Sequence, residues 1–245
     1  ALSSAASDVY KRQCVFLSGF SCFAQLYYFQ PLLPDLAKDF ILSASESSFA
    51  ISFSTLGMVF GLFTTMFVAD RIPRKKMIGT GLLSSSIFSV AASFSPTFLP
   101  LILLSAAKGF LLSGATSVSM AYIAEEVSSR NKGKIMGLYI AGNALGGMAG
   151  RVISSWIGAL YTWRIASVSI GLICALFAIL FLLFSPRSTN FMPRKESFHT
   201  LIIANLQLIT SKALIPFYLT GGLILGVFVS LYNYLGFYLT KAPFN

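Results

Sequence analysis

The stretch MFVADRIPRKK, Met66 to Lys76, sets one acid and four bases between two strongly apolar runs of a chain in which only 11% of residues are charged. Hydrophobic residues fill 56% of the 245 positions, 23 residues are Phe, and the mean hydropathy is +0.76. A water-soluble domain of this length is not so apolar, and the composition indicates a polytopic all-α membrane protein. The charged stretch then reads as a short loop held at the water boundary between two membrane spans.

Outward from this loop, a ruler of about 20 apolar residues per crossing finds seven candidate spans: 14–34, 47–69, 77–95, 99–124, 135–158, 165–185 and 214–239. Pro31, Pro34, Pro96, Pro100 and Ser185-Pro186 supply turn signals near their ends. The 18 Lys and Arg against 8 Asp and Glu would suggest a nucleic-acid binder in a soluble chain, but here they sort by membrane side, and no nucleic-acid partner is expected. The connections after the second, fourth and sixth spans carry eleven bases: Arg71, Arg74, Lys75, Lys76, Arg130, Lys132, Lys134, Arg187, Arg194, Lys195 and Lys212. The opposite side carries three, Lys38, Arg164 and Lys241. The N-terminus is therefore expected in the cytoplasm, with the lipid bilayer as the chain's first partner. A seven-helix receptor or sensor is the alternative class; the inward N-terminus weighs against it, and no lysine lies within the seventh span as a retinal protein requires.

Between Pro186 and Ala213 the chain is more polar, and Phe198, Leu201, Ile202, Leu206 and Ile209 recur mostly at three- and four-residue spacing. An amphipathic helix on the inner membrane surface is expected there. His199, the single histidine, falls on this helix, where surface exposure and a proton relay are the two readings. The expected organisation is a six-helix bundle over 14–185, an interfacial linker over 186–213, and over 214–245 the first helix of a second bundle, the rest of which is missing. LYNYL (231–235) echoes LYYFQ (26–30), as parallel transporter repeats do. At the other end, SSAASDVYKRQ (Ser3 to Gln13) is the one-frame translation of a transposase-type sequencing adapter. Residues 1–13 are accordingly expected to be a library artefact, so that the chain is a fragment at both ends.

Polar groups inside the spans are the candidates for chemistry. Lys108, in LILLSAAKGFLLSGA, lies roughly 14 Å into a core about 30 Å thick, where a charge faces a cavity or a partner. Lysine can lose its proton when buried, so a titrating role and a structural ion pair both stand. Arg151 either reaches the outer surface or faces a cavity as a second cation. Tyr27, Gln30, Asn143, Tyr232 and Asn233 either line a substrate cavity or serve as packing contacts. Gly142, Gly146 and Gly150 repeat every four residues and form a small-residue stripe for close helix approach. Cys14, Cys22 and Cys174 lie in apolar runs without CxxC spacing and read as core packing. There is no GxSxG, HExxH or phosphate loop, and one histidine cannot build a metal cluster. No enzyme, no metal and no cofactor is expected. Asp35, Asp39, Glu46 and Asp70 all fall at span ends or between the first two spans, so a carboxylate proton carrier is either Asp35 or lies in the missing half.

The order of spans, the loop at Asp70 and the glycines of the fifth span resemble the major facilitator superfamily, in particular its bacterial proton-coupled efflux members. The loop motif of that superfamily is matched by Asp70, Arg71, Arg74, Lys75 and Lys76, while Met66 and Pro73 stand at its two glycines. The resemblance implies a latch that closes the cytoplasmic side through contacts between two halves, with Glu125 at the end of the fourth span in the same network. From the residues alone, Asp70 and its neighbours also fit plain positive-inside anchoring, and Glu125-Glu126 also fits two solvated carboxylates. Lys108, followed by Gly109, takes the family's span-four position tied to proton coupling or an anionic ligand. Gly137, Gly146 and Gly150 keep the spacing of the exporter motif, with Arg151 where proline is expected. The resemblance thus implies a secondary transporter of the bacterial inner membrane, driven by protons and moving a small molecule outward by alternating access.

Overall fold

The computed structural model describes the backbone of residues 2–127, 129, 131–186, 188–193 and 198–239, and the side chains of these except 2–9, 198 and 204. Arg130, Arg187, Arg194, Lys195 and Lys241, counted above for orientation, lie outside the described residues.

Helix α1 (Leu2–Tyr27) passes without interruption through the stretch expected to be an adapter and stops before two prolines. Pro31 opens a 3-10 turn, Gln30–Leu32, and Pro34 sits in the first turn of α2 (Leu33–Asp39). Neither proline has an N–H to continue a helical ladder, yet both fit a first turn, so the first crossing is kinked rather than uniform to 34. A capping box follows: Ser43 accepts from the Glu46 amide while the Glu46 carboxylate accepts from Ser43, and the short α3 (Ala44–Ser47) begins there. These hydrogen bonds hold the exposed Glu46 carboxyl below its ordinary range.

The remaining expected spans fall on α4 (Phe49–Val68), α5 (Arg74–Ser93), α6 (Phe98–Glu126), α7 (Lys132–Leu160), α8 (Trp163–Phe184) and α10 (Ile215–Leu239). Among the described residues four segments are long and apolar enough to cross a membrane: Ala44–Arg71, Phe98–Glu126, Trp163–Phe184 and Ile215–Leu239. Helices α5 and α7 are long enough but diluted by serine, glycine and terminal bases. The amphipathic segment is α9 (Phe198–Ile209), on which His199 is exposed. All regular structure among the described residues is helical.

Small residues set how the helices meet. Ideal Cβ atoms built on Gly142, Gly146 and Gly150 of α7 would lie 2.6, 2.1 and 2.7 Å from the backbone oxygens of Phe16, Phe20 and Ala24 on α1. The expected stripe is therefore a backbone-to-backbone contact that only glycine permits. Gly137 is not part of it: nothing lies within 4 Å of its Cβ position, because five residues before Gly142 the helix has turned that face outward. A second contact joins α4 to α6, where Gly57 packs on Ala106 and Gly109 on the Ser54 carbonyl. Helix α8 closes on α5 through Gly171 against Ser86 and Val90.

Two apolar cores result. One, around Ile78, Leu82, Leu112, Tyr122 and Phe181, lies toward the Arg74 end; the other, around Tyr28, Leu33, Ile51, Leu101 and Trp163, lies toward the Trp163 end. Cys14, Cys22 and Cys174 are buried free thiols within these cores. By contrast α10 buries none of its residues, and its Phe237 packs against the second core.

Candidate functional site

At one end, the short loop leads through a 3-10 turn (Ala69–Arg71) to Pro73, whose φ of −53° suits proline and which forms the N-cap of α5. The proline in place of glycine thus starts a helix without strain. Arg74, next in sequence, is buried, and its guanidinium is fully engaged. Nη2 pairs with Asp70 Oδ1 and Glu125 Oε1, both at 2.8 Å; Nε donates to Glu125 Oε2 at 3.1 Å and Nη1 to the Ala69 carbonyl at 2.6 Å. The Phe191 ring lies 4.9 Å from its central carbon. Asp70, Arg74 and Glu125, 55 residues apart at the extremes, are brought together at 2.8 Å.

Lys75 belongs to the same end, since its Nζ donates to the Ser185 carbonyl and its amide donates to Ser188 Oγ at 3.1 Å. Glu126 is not solvated: it accepts from Thr189 Oγ1 at 2.9 Å and the Asn190 amide at 2.8 Å. Sequence reading missed Ser188, Thr189, Asn190 and Phe191, because a polar segment has no periodicity to mark which residues will dock. The network joins α4, α5, α6 and the start of the linker.

Lys108 has 1% of its surface exposed, and its Nζ has no hydrogen-bond partner among the described residues. It lies 4.5 Å from the Tyr28 ring centroid and 4.9 Å from that of Phe29. The ammonium is thus held by aromatic faces rather than by a carboxylate. The expectation that it faces an open cavity or an ion-pair partner is corrected: the break after α1 folds Tyr28 and Phe29 over it. The Ser54 and Ser105 hydroxyls are buried without partners as well.

Arg151 turns toward α1 and α10. Its Nε donates to Gln30 Oε1 at 2.5 Å and its Nη1 to the Gly147 carbonyl at 2.9 Å, while Nη2 has no hydrogen-bond partner among the described residues. The rings of Tyr27, Tyr232 and Phe228 stand 4.5, 4.6 and 5.5 Å from its central carbon. Gln30 in turn donates to Asn233 Oδ1 on α10 at 3.0 Å. The kink at Pro31 aims Gln30 here, and the glycines of α7 bring α1 close enough for Tyr27 to cover the guanidinium. Tyr27, Gln30, Arg151, Tyr232 and Asn233 therefore converge. Asn143 lines the same space, although its Oδ1 turns onto Gly19. Phe228 was missed; its position four residues before Tyr232 on one helix face was the available signal.

Two clefts open around Arg151, one of about 540 Å³ between α1, α7 and α10, the other of about 630 Å³ reaching Trp156 and Leu239. Both are walled mainly by apolar groups and fall in the size range of small-molecule sites.

At the far end, Asp39 accepts from Trp163 Nε1 at 3.0 Å and pairs with Arg164 Nη2 at 2.9 Å, and Arg164 Nη1 also donates to the carbonyls of Ser93 and Ser95. Nearby, burial raises the Asp35 carboxyl above its ordinary range. Among the described residues Arg71 joins neither network. No group of three or more metal-binding side chains occurs among the described residues.

The Major Facilitator Superfamily model matches residues 15–244. The inner membrane transport protein YnfM of Escherichia coli is 36% identical over 94% of this chain and 55% of its own length. A protein named as a transporter in Buchnera aphidicola from Schizaphis graminum is 35% identical over 94% of this chain and 56% of its own. The chain thus spans little more than half the length of these relatives. Among solved structures, a bacterial homologue of the human lysosomal transporter Spinster, inward-facing and unoccupied, superposes with a TM-score of 0.64 at 15% identity, over 78% of this chain and 46% of its own.

Proposed function

This chain belongs to the major facilitator superfamily, and on that premise we propose that it carries the first bundle, residues 14–185, the linker, 186–213, and the first helix of the second bundle, 214–245, of a proton-coupled exporter. The substrate is a small molecule held at the clefts around Arg151 while the two bundles rock about it. The convergence of Tyr27, Gln30, Arg151, Tyr232 and Asn233 from three helices carries this reading, because the polar groups meet where α10 faces the first bundle. The glycine spacing of α7 favours export. The basic connections favour a cytoplasmic N-terminus in a bacterial inner membrane.

In this mechanism Asp70, Arg74, Lys75 and Glu125 hold the cytoplasmic end, with Arg71 anchoring at the headgroups. Lys108 carries the coupling charge: sealed by two rings, it exchanges its proton only when a change of bundle conformation uncovers it. The test uses everted vesicles bearing the full-length protein and a panel of radiolabelled organic acids, amines and neutral compounds. At least one compound accumulates, and a protonophore and Lys108→Ala each abolish its accumulation. Accumulation indifferent to both treatments overturns the proton-coupled reading.

A further inference from the structure

We propose that the clefts around Arg151 select an organic monocarboxylate with a planar aromatic body. This rests on the transport reading above but concerns only what is bound.

Among the described residues that line either cleft, Arg151 alone is charged. A guanidinium does not lose its proton in a protein, so a full positive charge persists there. Its hydrogen-bond partners, Gln30 Oε1 and the Gly147 carbonyl, are neutral, and no described carboxylate pairs with it. Aromatic faces offset part of the cost of holding that charge at membrane depth, and an incoming anion would offset more. Nε and one N–H of Nη1 are already used; the second N–H of Nη1 and the buried Nη2, which has no partner among the described residues, keep the capacity to meet a carboxylate.

The same cleft sets the rest of the molecule. Among the described residues the clefts hold neither a second cation to neutralise a dianion nor an acid to pair with an organic ammonium. Tyr27, Phe228 and Tyr232 present ring faces beside the guanidinium, with Tyr232 4.6 Å from Phe228, so a flat apolar body stacks where an aliphatic chain would leave gaps. Space for such a body is present in the 540 Å³ cleft.

The test measures equilibrium binding to the full-length protein in lipid nanodiscs, without any gradient. Radiolabelled 1-naphthoate is competed by unlabelled 1-naphthoate, 1-naphthylmethanol, 1-naphthylmethylamine and naphthalene-1,4-dicarboxylate. The monocarboxylate binds at least tenfold tighter than the alcohol, and the amine and dianion compete more weakly still. Arg151→Gln removes the preference of acid over alcohol, and Arg151→Lys retains part of it. Equal affinity for acid and alcohol, a preference for the amine, or no saturable binding overturns the proposal, and these comparisons need no variant to fold. Naphthoate binding without proton-driven flux would sink the transport reading alone; proton-driven flux of cations would sink this one alone.

Discussion

Arg74 shows how far a single position was legible. The spacing of Asp70 and Arg74 fits one helical turn, and Glu125 closes the end of another helix; the structure joins all three at 2.8 Å. A planar fork serving two carboxylates and a carbonyl is something an ammonium cannot reproduce. Arg74→Lys is therefore expected to destabilise the full-length protein by about 1–3 kcal/mol, since charged hydrogen bonds are lost while the carboxylates remain. Asp70→Asn, removing a partner whose side chain is 42% exposed, costs less than about 1 kcal/mol. Thermal unfolding in detergent distinguishes the two, and a larger loss for Asp70→Asn than for Arg74→Lys would contradict the assignment of Arg74 as the centre. Glu126 and Asp39 were not legible. Their partners, Asn190 and Arg164, lie 64 and 125 residues away, and nothing in a linear pattern marks which polar residue of a loop will meet which helix end.

At the scale of elements, the bilayer makes span length a reliable ruler, so apolar runs located most helices closely. Hydropathy undervalues α5, whose Ser85, Ser86 and Ser89 are buried and donate to carbonyls of their own helix. Their hydroxyls are satisfied without water, and their small size lets α8 approach. The glycines of α7 were legible as a period but not as a partner: only the structure shows that α1 is the helix they receive. Gly146→Val is expected to destabilise by about 3 kcal/mol or more, because its Cβ position lies 2.1 Å from the Phe20 carbonyl oxygen and backbone cannot yield as a side chain does. Gly137→Ala, facing open space, is expected to be neutral or to stabilise by about 0.5–1 kcal/mol through lower chain entropy. Matching losses in thermal stability for the two variants would remove the distinction between motif spacing and packing face.

Across the whole molecule, charge pairs bind the first bundle at both ends, Asp70–Arg74–Glu125 at one and Asp39–Arg164 at the other. The superfamily resemblance led one to expect a latch between halves; among the described residues these pairs join parts of one bundle, as suits a body that moves as a unit. The contact with α10 differs in kind: it buries no residue of α10 and joins Gln30 to Asn233 and Arg151 to Tyr232, with Phe237 packed at the rim of the second apolar core. A thin seam that buries no residue of α10 can slide at little cost in buried surface, so in the proposed mechanism this seam moves while the ends stay fixed. A short cleavable cross-linker between cysteines placed at Gln30 and Asn233 is thus expected to stop proton-driven flux at least tenfold and to release it on cleavage. The same linker between cysteines at Asp39 and Arg164 is expected to leave flux within twofold, because both positions travel with one body. The native thiols at 14, 22 and 174 are buried and do not compete for the reagent. Flux that survives the first cross-link, or fails with the second, would place the moving boundary inside the first bundle rather than along α10.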